Sequence, residues 1–185
     1  MVAERISQQR HKEIAAIAHD LWFGFVDSHG ERFKDLSLFD TESRINPTVM
    51  KFLRHCVEVY TDFPGSSAGV VYTRFDDPTA PSWLWSNGRE KGPWVVIDNE
   101  KIGNTVRVDE ERKILTRIIL HEIGHIVLHF CKILKDSIGA VKSANDNQEE
   151  EAWIFCFAVI GASLGEAARK GRELKITDRA WNYSC

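Results

Sequence analysis

The feature that most restricts how this chain can fold is the segment Ile114 to Phe130, which is apolar on nearly every side but carries His121, Glu122 and His125 within it. Ile114, Leu115, Ile118, Ile119, Ile123, Ile126, Val127 and Phe130 leave a helix little surface for water, so other elements must pack around it. Ionisable groups buried there without partners are costly, at roughly a few kcal/mol each. A bound cation removes that cost. Four residues apart on a helix, the imidazoles of His121 and His125 project from one face, one turn above the other. Two such rings can converge on one zinc ion, whose bonds to nitrogen are about 2.0–2.1 Å long. Glu122, turned by about 100° from His121, can reach over the ion without ligating it and take a proton from water. The HExxH spacing therefore predicts His121 and His125 as zinc ligands and Glu122 as a general base.

A catalytic zinc takes a third protein ligand and keeps one open position. His129 lies two turns beyond His121, about 12 Å along the axis at the usual rise per residue. That distance assigns it to a supporting or capping role. The better candidates are Glu149, Glu150 and Glu151, at the start of a last helix. With Asn147 as N-cap, Glu150 takes the capping-box position and Glu149 becomes a first-turn partner of the helix dipole. Glu151 lines up with Phe155 and Ala158 on the inward face, ahead of an uncharged stretch from Ala152 to Gly161. It is the predicted third ligand, with Glu150 next.

The remaining chain reads as α+β. Ile14, Ile17, Ala18, Leu21, Trp22 and Phe25 follow a helical stripe that ends at Ser28-His29-Gly30. Asn46-Pro47 pairs an N-cap with proline at the first helical position, opening a stripe of Val49, Phe52, Leu53, Cys56 and Tyr60 that Pro64-Gly65 stops. Gly69 to Thr73, Trp83 to Trp85 and Trp94 to Ile97 are short β-branched or aromatic runs. Asp76-Asp77-Pro78, Asn87-Gly88 and Gly92-Pro93 separate them as turn signals, which predicts a small antiparallel sheet of about three strands. The aromatic residues of these runs read as core filling before they read as a substrate groove. Asp109 is a plausible N-cap for the HExxH helix, with Glu110 and Glu111 at the positive end of its dipole. A polar connection from Lys135 to Asn147 leads to the last helix. The expected organisation is one domain over 1–185. It comprises helices over about 8–62, a sheet over about 68–99, buried helices over about 109–131 and 148–164, and a tail at 165–185.

Composition excludes some classes of function. A net charge of −3 argues against nucleic acid or a membrane as direct partner, since both favour a basic imbalance. Cys56, Cys131, Cys156 and Cys185 form no CxxC pair, which argues for reduced thiols and against a zinc ribbon. The first twenty residues have no apolar segment of the kind that drives secretion, and no run is long enough to span a bilayer. A cytosolic protein is expected.

Beyond the HExxH spacing, His121 to His129 reads HEIGHIVLH and follows Leu-Thr-Arg-Ile-Ile-Leu. This resembles the "RFTLAHELGHxxLH" segment of the ImmA/IrrE family of metallopeptidases. The run Trp94 to Asn99 is similar to that family's apolar strand ending in Asn, and Glu151-Ala152-Trp153-Ile154-Phe155-Cys156 resembles its "EANxFA" helix. The resemblance spans about half of the chain, roughly Trp94 to Leu164. Its departures are Trp153 in place of Asn or Asp, Cys156 and Phe157 in place of small residues, and Val159-Ile160-Gly161-Ala162 in place of "LLMP". In the family the leading Glu of that helix is the third zinc ligand, which by resemblance is Glu151.

The resemblance implies a zinc-dependent, cytosolic regulatory endopeptidase that cleaves a helix-turn-helix transcriptional repressor. The chain shows no helix-turn-helix segment of its own, so the repressor would be supplied in trans. A catalytically silent zinc-binding regulator is the alternative, and a broad degradative peptidase fits a cytosolic chain poorly. Tyr60, Tyr72 and Tyr183 are equal candidates for stabilising an oxyanion. Cys131 or Cys185 could block the zinc as a thiolate, though a core or terminal thiol is the plainer reading.

Overall fold

The computed structural model describes residues 6–29, 45–61, 63–73, 82–87, 92–98, 108–132, 138–141 and 145–169, together with Ile102 and Leu134. The fold is α+β, with a mixed four-stranded sheet. Helix α1, Gln8–His29, buries Ile14, Ala18, Leu21, Trp22 and Phe25 along the expected stripe. Helix α2, Pro47–Tyr60, starts where Asn46 and Pro47 place it: the Asn46 side chain accepts a hydrogen bond from the Thr48 N–H at 2.9 Å. Trp22, Phe25 and Phe52 join the two helices, with ring centroids 5.3–5.6 Å apart at the tilted and edge-on angles aromatic pairs favour.

Strands β1 (Gly69–Thr73), β2 (Ser82–Asn87) and β3 (Trp94–Asp98) coincide with the three expected runs, but not with the expected sheet. Its order is β1-β3-β2-β4. β1 pairs with β3 in parallel, whereas β2 is antiparallel to both β3 and β4. β3 takes an interior place because Val95, Val96, Ile97 and Asp98 are buried on both of its faces, as an interior strand requires. That position separates β1 from β2 and makes the first pairing parallel. The fourth strand, β4 (Ile138–Val141), falls in what reads as a polar connection. It has four residues, alternates exposed with half-buried positions and contains Gly139 at a φ of 107°, so its β signal is weak.

Helix α3, Val108–His125, runs through the middle of the fold with Leu115, Ile119, Leu120 and Ile123 fully buried. It continues as a π-helical turn, Ile126–Phe130, in place of the regular helix expected to about residue 131. Such turns are common at functional sites. Helix α4, Asp146–Arg169, packs beside α1 and α3. Its N-cap is Asn145 and not Asn147: the Asn145 side chain accepts from the Gln148 N–H at 3.0 Å. Helix therefore begins two residues earlier than expected, since an asparagine at either position can cap and it is Asn145 that does.

α3 and α4 meet at Gly124. A Cβ there would stand 3.0 Å from both the Cα and the carbonyl oxygen of Ala152 and 3.2 Å from the Phe155 Cβ. Since the obstruction is largely backbone, α4 would have to move. Gly124→Ala is expected to lower stability by about 1–3 kcal/mol, outweighing the gain of roughly 1 kcal/mol in helix propensity. Gly161→Ala meets nothing within 4 Å and should stabilise the helix. Thermal unfolding of the two variants checks this, with opposite shifts in Tm expected. Among the described residues, no helix is long and apolar enough to cross a membrane.

Candidate metal centre

His121 and His125 lie on the buried face of α3, 6% and 3% exposed. Their rings stand nearly perpendicular, at 88°, with centroids 4.6 Å apart, and their Nε2 atoms are 3.1 Å apart. Glu149, from the first turns of α4, completes the group. Its Oε2 lies 3.1 Å from His121 Nε2 and its Oε1 lies 3.4 Å from His125 Nε2. Ligand atoms held tetrahedrally at about 2.0–2.1 Å from one ion stand roughly 3.3 Å from one another, which is the spacing found. Two imidazole nitrogens and a carboxylate aimed at one point can hold a metal ion. Glu149 is half-exposed, so the group opens toward solvent on one side. The two histidines, His121 first and then His125, hold its carboxyl well below the usual carboxylate range. Trp153, one turn further along α4, lies over the His121 ring with centroids 4.3 Å apart.

The structure does not bring Glu151 to the histidine pair. Its carboxylate accepts hydrogen bonds from Arg10 Nε and Nη2, both at 2.8 Å, and lies 3.1 Å from His129 Nε2. The helical geometry explains the difference. Ala152 and Phe155 form the line of contact with Gly124, and at 100° per residue Glu149 and Glu151 flank that line on opposite sides. They therefore leave α4 on opposite sides of that line, and only the flank of Glu149 and Trp153 faces His121 and His125. The flank of Glu151 faces α1 and the π-helical turn. Glu150 is exposed. His129 stays outside the triad, as its distance along the helix requires, and its Nδ1 lies 3.1 Å from the Nδ1 of His125. Burial, above all, lowers the pKa of His129.

Glu122 is buried beside the triad, and Ser82 Oγ, at the start of β2, donates to its Oε1 at 2.7 Å. Burial raises the Glu122 carboxyl from the ordinary 4.5 to about 7, against the opposing pull of His125 and of the Ser82 hydrogen bond. In the metal-free protein this has a definite sign. Below pH 4.5 the group is neutral whether the chain is folded or not. Between 4.5 and 7 the unfolded chain releases the proton and the fold retains it, so stability falls as pH rises through that window and then levels off. Metal-free wild type is expected to lose about 2 kcal/mol more than Glu122→Gln between pH 5 and pH 8. Urea unfolding at the two pH values measures it.

Of the candidate oxyanion residues, Tyr60 lies near Cys56, Cys131 and Asp20, and burial raises its hydroxyl pKa. Cys131 is a free, half-buried cysteine outside the converging group, and Cys56 and Cys156 are free and buried. Burial pushes both of the buried thiols up. Asn99, Tyr183 and Cys185 lie outside the described residues, as do the side chains of Asp109 and Glu110. Sequence reasoning missed Ser82, Arg10 and the packing role of Gly124. A serine opening a strand and a partly exposed arginine carry no spacing signal; the glycine between the two histidines does, as a point of close helix approach. No family model matches the chain, and no characterised protein or solved structure matches it either.

Proposed function

We propose that the chain is a zinc-dependent endopeptidase of the ImmA/IrrE kind, acting in the cytosol on a helix-turn-helix repressor supplied in trans. The observation that carries this reading is the convergence of His121 Nε2, His125 Nε2 and the Glu149 carboxylate, with the Glu122 carboxylate buried beside them. Two histidines and one glutamate with an open side suit a catalytic zinc. Bound there, zinc supplies a Lewis acid that polarises a carbonyl and makes water more acidic.

The chain's own residues supply the remaining chemistry. Glu122 takes the proton of the attacking water and returns it to the leaving amine. Ser82 fixes one oxygen of Glu122 and leaves the other for the water. Trp153 covers His121 and limits water on that side. The substrate class comes from the resemblance of the HEIGHIVLH segment and the helix that follows it.

The test is incubation of the purified full-length chain with the helix-turn-helix proteins encoded beside its gene, with and without chelator. Cleavage at one bond is expected, abolished by chelator and restored by zinc. If the zinc-loaded chain left those proteins and an unfolded general substrate intact, the reading would be overturned.

A further inference from the structure

We propose that Arg10, Glu151 and His129 act as a positioning relay that holds His125 in its Nδ1–H tautomer, leaving its Nε2 lone pair aimed at the metal centre. The inference rests on the metal reading for its purpose, but the tautomer it assigns exists without metal.

The hydrogen positions follow from the donors and acceptors along the relay. Glu151 takes a two-pronged pair of hydrogen bonds from Arg10, Nε to Oε1 and Nη2 to Oε2, each at 2.8 Å. Its Oε2 also lies 3.1 Å from His129 Nε2. An ionised carboxylate only accepts, so the hydrogen of that contact belongs to His129 Nε2. A neutral imidazole carries one N–H, which makes His129 Nδ1 an acceptor. That nitrogen is 3.1 Å from His125 Nδ1, and the contact is a hydrogen bond only if His125 Nδ1 is the donor. The hydrogen is then absent from His125 Nε2, the atom that faces His121 Nε2 and Glu149. Partners of this kind fix the tautomer and orientation of metal-binding histidines.

The relay also ties α1 to the centre, since Arg10 is the only member outside α4 and the α3–π-turn segment. It gives Glu151 a role other than third ligand: both of its oxygens are engaged by Arg10 and His129, on the flank of α4 turned away from the His121–His125 pair.

The experiment has two readouts on the full-length chain. The first is long-range proton–nitrogen NMR of the histidine rings in the metal-free protein at pH 8, which reports the tautomers. The second is zinc affinity by competition with a chromophoric chelator. In wild type, His125 is expected to be protonated at Nδ1 and His129 at Nε2. His129→Phe should let His125 populate the Nε2–H form and weaken zinc binding about 10–100-fold. Glu151→Leu should do the same, and it serves if the Phe variant does not fold. Glu151→Gln keeps an oxygen acceptor and should preserve both the tautomer and the affinity. A purely structural role would lower Tm in these variants without moving the tautomer of the folded protein. Wild-type His125 protonated at Nε2, or an unchanged tautomer and affinity in both His129→Phe and Glu151→Leu, would overturn the relay. Failure of wild type to bind zinc would overturn the metal reading instead, and the tautomer measurement would still judge the relay.

Discussion

Replacing Glu122 by Gln is expected to slow substrate cleavage by about 10²–10⁴-fold, the usual contribution of a positioned acid–base group, while the chain keeps its metal. The substitution is close to isosteric, and the amide oxygen can still accept from Ser82, which bonds Oε1 at 2.7 Å in wild type. Packing around this buried position is therefore preserved. What disappears is a group able to take a proton, and with it the proton delivered to the leaving amine. Metal content should stay at the wild-type level, because His121, His125 and Glu149 are untouched. Rates from single-turnover cleavage, paired with metal analysis of the same samples, separate chemistry from site assembly. A regulator that binds its repressor without cutting it would be indifferent to the change, and equal function in both proteins would favour that account.

The second large effect concerns the identity of the third ligand. Glu149→Gln is expected to weaken zinc binding by roughly a hundred-fold or more, since even loss of an outer partner typically costs 10–100-fold. It removes the negative charge and turns one of the two carboxylate oxygens, which stand 3.1 and 3.4 Å from the two histidine nitrogens, into an amide NH2 that cannot ligate. Glu151→Gln should leave affinity near wild type, because its role is to accept hydrogen bonds from Arg10 and His129. The pair of variants is decisive in either direction: a collapse of affinity in Glu151→Gln with Glu149→Gln unaffected would restore the assignment drawn from the sequence. Gly124→Ala belongs to the same test, since moving α4 carries Glu149 away from the histidines and should weaken binding with all three donors present.

How far the chain discloses this arrangement depends on the range of the interaction involved. The stripes of α1 and α2 and the cap at Asn46 are local, so the residues that form them lie within a few turns of one another and can be read directly. The convergence of His121 with His125 is equally local, one helical turn apart. Strand partners are not local. The runs at β1, β2 and β3 are visible, but the choice of β3 as an interior strand depends on both its faces being covered, and β4 is too short and too exposed to announce itself. Glu149 and Glu151 divide the same way. A helical projection puts Glu151 on the inward stripe and Glu149 to its side, yet which flank meets the histidines depends on where α4 crosses α3. That crossing is set by Gly124 against Ala152, residues 28 positions apart. Ser82, 40 residues from Glu122, lies beyond any such projection.

The proposed chemistry requires that His121, His125 and Glu149 hold a metal. The most direct measurement is the metal content of the purified full-length chain by elemental mass spectrometry, after equilibration with micromolar zinc and removal of the excess. One zinc per chain is expected, stripped by chelator and absent from a His121→Ala variant whose circular dichroism shows it folded. A folded wild-type chain that retained no divalent cation, or a His121→Ala variant that retained as much as wild type, would contradict it.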